Sequence, residues 1–570
     1  MSGEFISTIY GNRNSNSLIF EEYHKKSSYS ELISKSRKIA NILSKYRSKN
    51  VVVHVDHSIL CVATILAIWQ VNKTYIPVDT KLSKSKYFNV IEKIENYVEV
   101  GFGVHKSNMD IIISDNLLRT ENELLHQHAK ENEIAYILFT SGTTGKSKGV
   151  KITYDNLKFL FNSTRELFDF SSTDTWINLH SLEFDFSIWE IFGALLNGSN
   201  LVLPGSLSLY EFDKISKLII DFNVNILNQT PTAFYRLQNY LQKSKDISLK
   251  YVIFGGEKLD TQRIKKSYEI FSCANFINMF GITEITVHGT FHKITKKDFD
   301  NPRWSNIGTA LGNSKVILVD ETRNPITKGI GEICITGSNV SVGYLNEKDL
   351  TNRVFTFNKD EVTYYSGDLG EYINGYDINY IGRKDNQIEK NGYRIELDEI
   401  KHHVQNMIGV NQCEIDYFDE KIICYVIKKD DKTLTRANCN IILKDKIPPY
   451  MMPDQYIEIT EVPLTVNGKV NFKELRKIVY DKKNKGEGKT HQTNPEKWLI
   501  ELFSDILNVS PEDIDIQSNF SELGLSSIML IDIHSKILEE FNIDKDLTIV
   551  DLFQYSTIKS LLDNFELRSK

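Results

Sequence analysis

Between Tyr136 and Val150 the sequence reads YILFTSGTTGKSKGV, in which Thr140, Ser141, Gly142, Thr143, Thr144, Gly145 and Lys148 crowd hydroxyls, glycines and positive charge into one short run. Glycines let backbone N–H groups approach a ligand closely, hydroxyls donate hydrogen bonds and lysines add charge, so the natural guest is a polyphosphate. The run is not a P-loop. Gly145-Lys146-Ser147 supplies the end of G-x-x-x-x-G-K-[ST], but the glycine that must open that motif would fall at position 140, which is threonine. A nucleotide is expected here by another route; an isolated run of this composition is more often a surface loop, so the rest of the chain must decide.

An apolar strand leads into that loop, and the chain around it has the pattern of α/β layers. Up to about Gly382, strand-like runs such as NVVVHVDH, YVIFGGE and SKVILVD alternate with helical patterns such as YSELISKSRKIANILSK, with no repeating period. After Tyr380 comes the dense polar stretch IGRKDNQIEKNGYRIELDEI, then a smaller α/β region to about Tyr480. Asp481 to Asn494, DKKNKGEGKTHQTN, has almost no apolar residue and reads as a flexible linker. Residues 495–570 carry helical stretches and few strand signals, which predicts a small helical bundle.

A chain of 570 residues exceeds one hydrophobic core and predicts three or four domains. Its 41% hydrophobic and 25% charged content is that of a soluble globular protein. The start, MSGEFISTIYGNRNSNS, has no basic segment leading into an apolar one, and no long uninterrupted apolar stretch follows, so a cytoplasmic location is expected. Cys61, Cys273, Cys334, Cys413, Cys424 and Cys439 form no C-x-x-C pair, which favours reduced, mostly buried thiols over a metal site. Charge is uneven: residues 495–570 hold 15 acidic and 6 basic residues, net −9, while the whole chain is −7. That argues against nucleic acid as a partner and for an acidic module read by basic protein surfaces.

Taken in order, TSGTTGKSKGV, FDFSIWEIFGALL, NMFGITE, GEICITGSNVSVGYLN, YYSGDLG, GRKDNQIEKNGYRIELDEI and PLTVNGKVN resemble the motif series of the adenylate-forming superfamily, specifically nonribosomal peptide synthetase adenylation domains. The resemblance implies a large adenylation core of two α/β subdomains and a distorted β-barrel over 1–384. A small α+β C-terminal subdomain over 385–480, the linker 481–494 and a helical carrier domain over 495–570 would follow. It also implies ATP and Mg²⁺. A carboxylate attacks the α-phosphate to give an acyl-adenylate and pyrophosphate, and a thiol then attacks that mixed anhydride. Such an enzyme needs no protein nucleophile; it must align two anions and neutralise the charge that builds on phosphate.

Carried over by motif, the opening loop closes on the triphosphate, Lys469 bridges substrate carboxylate and phosphate, Glu284 holds Mg²⁺ and Thr283, beside Gly281, meets the α-phosphate. Asp368 takes the ribose hydroxyls and Arg383 adds a contact to the sugar. Phe280 and the backbone of Gly255-Gly256-Glu257 sandwich adenine, with Asn278 at its amino edge. Asp385 is the hinge about which the C-terminal subdomain turns, bringing first Lys469 and then the loop around Gly392 to the site. The chain departs from the usual pattern at Phe280 and Ile282 within Y-G-P-T-E, at Tyr154 for histidine, at Ser366 for threonine, and at Asn391 and Asp398 for arginine and glycine. None of these touches the roles above.

Ten positions line the family's amino-acid pocket: Asp185, Phe186, Trp189, Asn228, Ile253, Gly255, Met279, Val287, His288 and Lys469. The string D-F-W-N-I-G-M-V-H-K is similar in every letter to the family's threonine signature. Physically, Asp185 and Lys469 pair both charges of a free amino acid, which excludes a fatty or aryl acid. Trp189 and Phe186 leave a small cavity, Asn228 and His288 can hydrogen-bond a hydroxyl, and Val287 and Met279 can pack on a methyl. Valine should bind poorly, because the polar groups would stay unpaired.

FSELGLSSIMLIDI, Phe520 to Ile533, resembles the phosphopantetheine attachment site of peptidyl carrier domains, with Ser527 the modified residue. Leu530, Ile533, Ile537 and Phe541 recur behind it at helical spacing. The expectation is an adenylation–carrier didomain that loads L-threonine onto its own 4′-phosphopantetheine arm. Its partners would be a phosphopantetheinyl transferase, a tailoring enzyme or condensation domain acting in trans and, as a further candidate, a small MbtH-like protein. With no room for a condensation domain before Tyr29 and no thioesterase before Lys570, transfer in trans is the reading of the chain's ends. The alternatives are the same chemistry on serine or valine, or a non-catalytic ATP-binding scaffold that displays a carrier.

Overall fold

A computed structural model of the chain describes residues 3–79, 84–102, 109–124, 133–140, 147–205, 207, 211–244, 246–301, 304–358, 361–373, 375–384, 387–390, 393–407, 409–429, 436–444, 446–463, 470–484, 495–507, 509–525, 529, 530, 533, 534, 536, 537, 541–543, 547, 549–565 and 567–569. Among them, no helix is long and apolar enough to cross a membrane. They fall into two compact units, the first drawn chiefly from residues up to Arg394 and the second chiefly from Ile395 onward.

The described part of the first unit holds two large sheets. The smaller runs Ile111–Ile113, Tyr97–Phe102, Asn50–Val55, Thr74–Asp79, Ile134–Thr140, Lys148–Thr153. Its first five strands are parallel, and the central two are apolar almost throughout, as burial on both faces requires. Helix Tyr29–Ser44 starts at a capping box in which Ser28 and Glu31 satisfy each other's backbone N–H groups. The strand Ile134–Thr140 turns back on Lys148–Thr153 with Thr140 paired to Lys148. The pairing places those two predicted ligand residues side by side; Ser141, Gly142, Thr143, Thr144 and Gly145 lie outside the described residues.

The larger sheet has fifteen strands. Leu18–Glu21, Asn200–Leu203, Thr175–Ile177, Ile226–Gln229, Tyr251–Phe254 and Asn275–Asn278 are parallel in that spatial order. Asn275–Asn278 pairs in parallel with Tyr251–Phe254 but antiparallel with Thr290–Lys293, and every later pairing is antiparallel. Among the described residues these later strands continue the sheet in one path.

In the second unit, Val410–Phe418, Lys421–Lys428 and Gln455–Glu458 form one sheet. Ile423, Tyr425, Ile457, Leu475 and Val479 make its core, an α+β arrangement. A separate core gathers helices Pro495–Leu507, Ile549–Gln554 and Ile558–Asn564. Leu530, Ile533, Ile537 and Phe541, the stripe read at helical spacing, are all buried in it. The bundle also contains a two-stranded pairing of Phe541–Ile543 with Leu567–Ser569, absent from the helical expectation.

Candidate active site

In an open parallel sheet the ligand side is the carboxyl end of the strands, where the connections leave. Asn228 and Ile253 are direct register partners there, and Phe254 pairs with Asn278 on the next strand. Three adjacent strands therefore hand over together to Thr230, to Gly255-Gly256-Glu257 and to Met279-Phe280-Gly281. Helix Phe186–Asn197 opens at Asp185, and its 3.6-residue repeat turns Phe186, Trp189 and Glu190 onto one side.

These residues converge. A Cβ on Gly255 would meet Phe186 Cζ at 2.9 Å, the Met279 carbonyl oxygen at 3.1 Å and His288 Cε1 at 3.3 Å. The missing side chain is what lets them close. The His288 ring lies 5.2 Å from Trp189, edge-on, and 5.3 Å from Phe186, while Trp189 stacks on Phe161. His288 is delivered by a strained turn: Thr286 and Val287, both β-branched, have φ of 59° and 71°, a region such residues avoid. The Thr286 hydroxyl donates to the Asn339 carbonyl at 2.7 Å, and any Cβ on Gly281 would sit 1.8 Å from the Val287 carbonyl oxygen.

The pocket's polar groups are buried and wanting. Neither ring nitrogen of His288 has a hydrogen-bond partner among the described residues. Burial pushes its pKa down to about 3, so the ring is neutral near pH 7, with one nitrogen to donate and one to accept. Asn228 Oδ1 also meets no partner among the described residues. Asp185 has its pKa pushed up to about 6, chiefly by burial, with the Thr283 hydroxyl drawing it down and the Glu284 charge raising it. Such a carboxylate gains from any cation brought beside it.

Sequence reasoning passed over Glu190, which is fully buried and surrounded by donors. Its Oε2 accepts from Asn178 Nδ2 at 2.7 Å and from the N–H groups of Leu179 and His180 at 3.1 and 3.3 Å. Its Oε1 lies 2.6 Å from His180 Nδ1 and 3.5 Å from Asn228 Nδ2. No spacing rule flags it, because its donors come from other elements.

An open cleft is lined by Gly256, Glu257, Asn278, Met279, Phe280 and Gly281 together with Ser305, Ile307, Tyr380 and Glu389. The first six were placed there or beside it by sequence; the last four were not, since they reach the cleft from segments distant in the chain. Asn278 Nδ2 donates to the Asn306 carbonyl at 2.7 Å. Tyr380 faces Phe280 across 5.9 Å and donates its hydroxyl to Asp368 Oδ1 at 3.2 Å. Arg383, expected on a sugar, donates to Asp368 Oδ1 at 3.0 Å. Glu284 is fully buried and accepts from the Tyr344 hydroxyl at 2.8 Å, and Lys148 Nζ stands 5.5 Å from the Tyr344 ring centroid. Thr140 Oγ1 is buried with no partner among the described residues, a donor suited to phosphate. Among the described residues no cluster of three or more His, Cys, Asp or Glu side chains could hold a metal ion. A divalent cation taking most ligands from phosphate needs only one or two protein carboxylates, and Glu284 fits that donor set. Lys469, Asp385 and Ser527 lie outside the described residues.

Residues 8–345 match the model of the AMP-binding enzyme family. The chain belongs to that family. Residues 497–565 of this AMP-binding enzyme match the phosphopantetheine attachment site. The first domain uses ATP and the second carries phosphopantetheine, an adenylation–carrier architecture. Syringomycin synthase SyrB1 of Pseudomonas syringae pv. syringae is 28% identical, over 94% of this chain and 91% of its own length. The dimodular nonribosomal peptide synthase of Bacillus subtilis (strain 168) is 33% identical over 76% of this chain, which spans only 19% of that much longer relative. The fold is shared with holo-PA1221, a nonribosomal peptide synthetase protein containing adenylation and PCP domains (TM-score 0.83, 20% identity, 99% and 97% of the two chains). It is shared also with the Vibrio cholerae adenylation domain AlmE in complex with glycyl-adenosine-5′-phosphate (TM-score 0.72, 19% identity, 84% and 97%).

Proposed function

We propose that this AMP-binding enzyme activates L-threonine with ATP and loads it onto the phosphopantetheine thiol at Ser527, for nonribosomal peptide assembly. The observation that carries the reading is that Asn228 Oδ1 and the two His288 nitrogens are buried without partners among the described residues, with His288 packed against Trp189 and Phe186. An unmatched buried donor or acceptor costs about 1–3 kcal/mol, and a substrate hydroxyl, which both donates and accepts, relieves it. Asp185 takes the α-ammonium, and Lys469 the α-carboxylate. The relatives support amino-acid activation: AlmE holds an aminoacyl adenylate in this fold, and SyrB1 is a synthase of matching length.

In the first step a threonine carboxylate oxygen forms a bond to the α-phosphorus and the bond to the bridging oxygen breaks, releasing pyrophosphate. Phe280, Tyr380 and the Gly256-Glu257 backbone hold the adenine; Asn278, its nitrogen committed to Asn306, offers its oxygen to the adenine amino group. Asp368, braced by Tyr380 and Arg383, takes the ribose hydroxyls. Thr140, Lys148 and Thr283 meet the phosphates. Mg²⁺, when bound at Glu284, supplies positive charge against that developing on phosphate. In the second step the pantetheine sulfur bonds the carbonyl carbon, AMP leaves with the former carboxylate oxygen, and the thiol proton is released. Asp385 is the proposed hinge between the steps. A phosphopantetheinyl transferase modifies Ser527, and a tailoring enzyme or condensation domain receives the threonyl group.

Pyrophosphate exchange across the twenty amino acids tests this, with intact mass of the Ser527-modified protein after ATP and threonine as the second readout. Threonine should exchange fastest, serine less and valine least; valine exchanging as fast as threonine overturns the reading.

A further inference from the structure

Glu190 plays no part in the chemistry above, yet it is among the most heavily engaged side chains of the first unit. Five donors from two segments point at one buried carboxylate, so it cannot swing away, and the one donor it shares with the amino-acid pocket is Asn228. At 3.5 Å that contact is too long to add much binding energy. Its importance is directional. Which end of an amide points where follows from its neighbours, and a carboxylate accepts only, so a flipped Asn228 would set oxygen against oxygen.

We infer that Glu190 is a specificity-positioning residue: it fixes the Asn228 amide with its oxygen toward the amino-acid side chain, so that the pocket demands a hydrogen-bond donor there. This inference rests on the reading of the pocket as built for a hydroxylated amino acid, and it sharpens that reading. With Asn228 presenting only an acceptor, the substrate hydroxyl donates to Asn228 Oδ1 and accepts from His288. A methyl, which can do neither, leaves two buried groups unmatched. The discrimination against valine then depends on a residue that touches no substrate atom.

The test uses pyrophosphate exchange by the full chain with threonine, serine and valine, for the wild type, Glu190→Gln, Asn228→Asp and the two substitutions together. Each single change should lower the threonine-over-valine ratio at least tenfold through the KM for threonine, with the KM for ATP unchanged. In the pair, donor and acceptor are exchanged: the new amide donates to the new carboxylate, which again keeps an oxygen toward the pocket. The pair should therefore regain most of the lost ratio, a rescue that a merely structural role would not produce. An unchanged ratio in Glu190→Gln, or losses that simply multiply in the pair, overturns the inference. Should Glu190→Gln fail to fold, Glu190→Asp serves, since it keeps the charge for the two backbone N–H groups while retracting from Asn228; a wild-type ratio there overturns the inference as well. A wild type that does not prefer threonine sinks the substrate reading alone. Glu190 is then judged by the same variants on serine against 2-aminobutyrate.

Discussion

Asn228 and His288 are sealed in the first unit with polar atoms that meet no partner among the described residues, whereas several polar side chains at or beside the cleft are already engaged: Asn278 with Asn306, Glu257 with the Thr232 N–H, Asp368 through Oδ1 with Tyr380 and Arg383. Met279, Phe280 and Gly281, which line the cleft, leave the strand end beside Gly255, and Met279 and His288 both lie against Gly255. The two sites select differently. A pocket whose buried groups go unmatched without the right ligand punishes the wrong one, while a cleft of backbone and aromatic faces, whose side chains are largely held by one another, holds a common ligand without needing to reject close relatives.

The contrast breaks most severely at Asp185. Replacing it with alanine strips the ammonium of its buried partner, a loss of about 2–5 kcal/mol, so kcat/KM for the amino acid should fall by roughly two orders of magnitude or more while the KM for ATP holds. Steady-state exchange against both substrates reads this directly, and an equal rise in both KM values would show that the two sites are one. Next in size, His288→Leu removes a partner for the hydroxyl, so the threonine-over-valine ratio should shrink by about 1–3 kcal/mol with ATP again indifferent.

Phe280→Ala should do the reverse. Base stacking is worth about 1–3 kcal/mol, so the KM for ATP should rise while the threonine-over-valine ratio stays put. Acid separates the sites without any substitution. Asp185 must be ionised to hold an ammonium, and its pKa is raised to about 6, so kcat/KM for the amino acid should fall about tenfold from pH 7 to pH 5. The sign is fixed by the direction of the shift: a carboxyl raised above its ordinary value loses its charge as pH falls through the raised value. Asp185→Asn should flatten that limb of the profile. The smallest effect is expected at Val287→Gly, where relief of a left-handed β-branched residue, of order 1 kcal/mol, is offset by lost packing. A change in melting temperature of a few degrees at most, with weaker discrimination, would fit.

Much of this was legible in the chain. NVVVHVDH, YVIFGGE and SKVILVD are strands, YSELISKSRKIANILS is a helix, and eight of the nine described pocket positions are tied together by register or contact around Phe186, Gly255 and His288. The ninth, Asp185, opens the helix that carries Phe186. What stayed hidden shares one cause. Tyr380 meets Phe280, and Glu190 meets Asn178, only because distant segments are brought together, and periodicity reports on neighbours along a single element. The backbone of Thr286 and Val287 was hidden for a different reason: β-branched residues predict extended chain, and surrounding contacts override that preference.

The reversal of strand direction at Asn275–Asn278 has a consequence for how this enzyme can vary. A parallel continuation would require a long crossover, but an antiparallel one needs only a short link, and here Met279 to Gly289 must turn the chain, line the cleft, bring His288 against Phe186 and carry Glu284 before pairing resumes at Thr290. Length is thus the one property this segment cannot trade. Side chains along it can be exchanged, while a single inserted or deleted residue would displace Glu284 and His288 together.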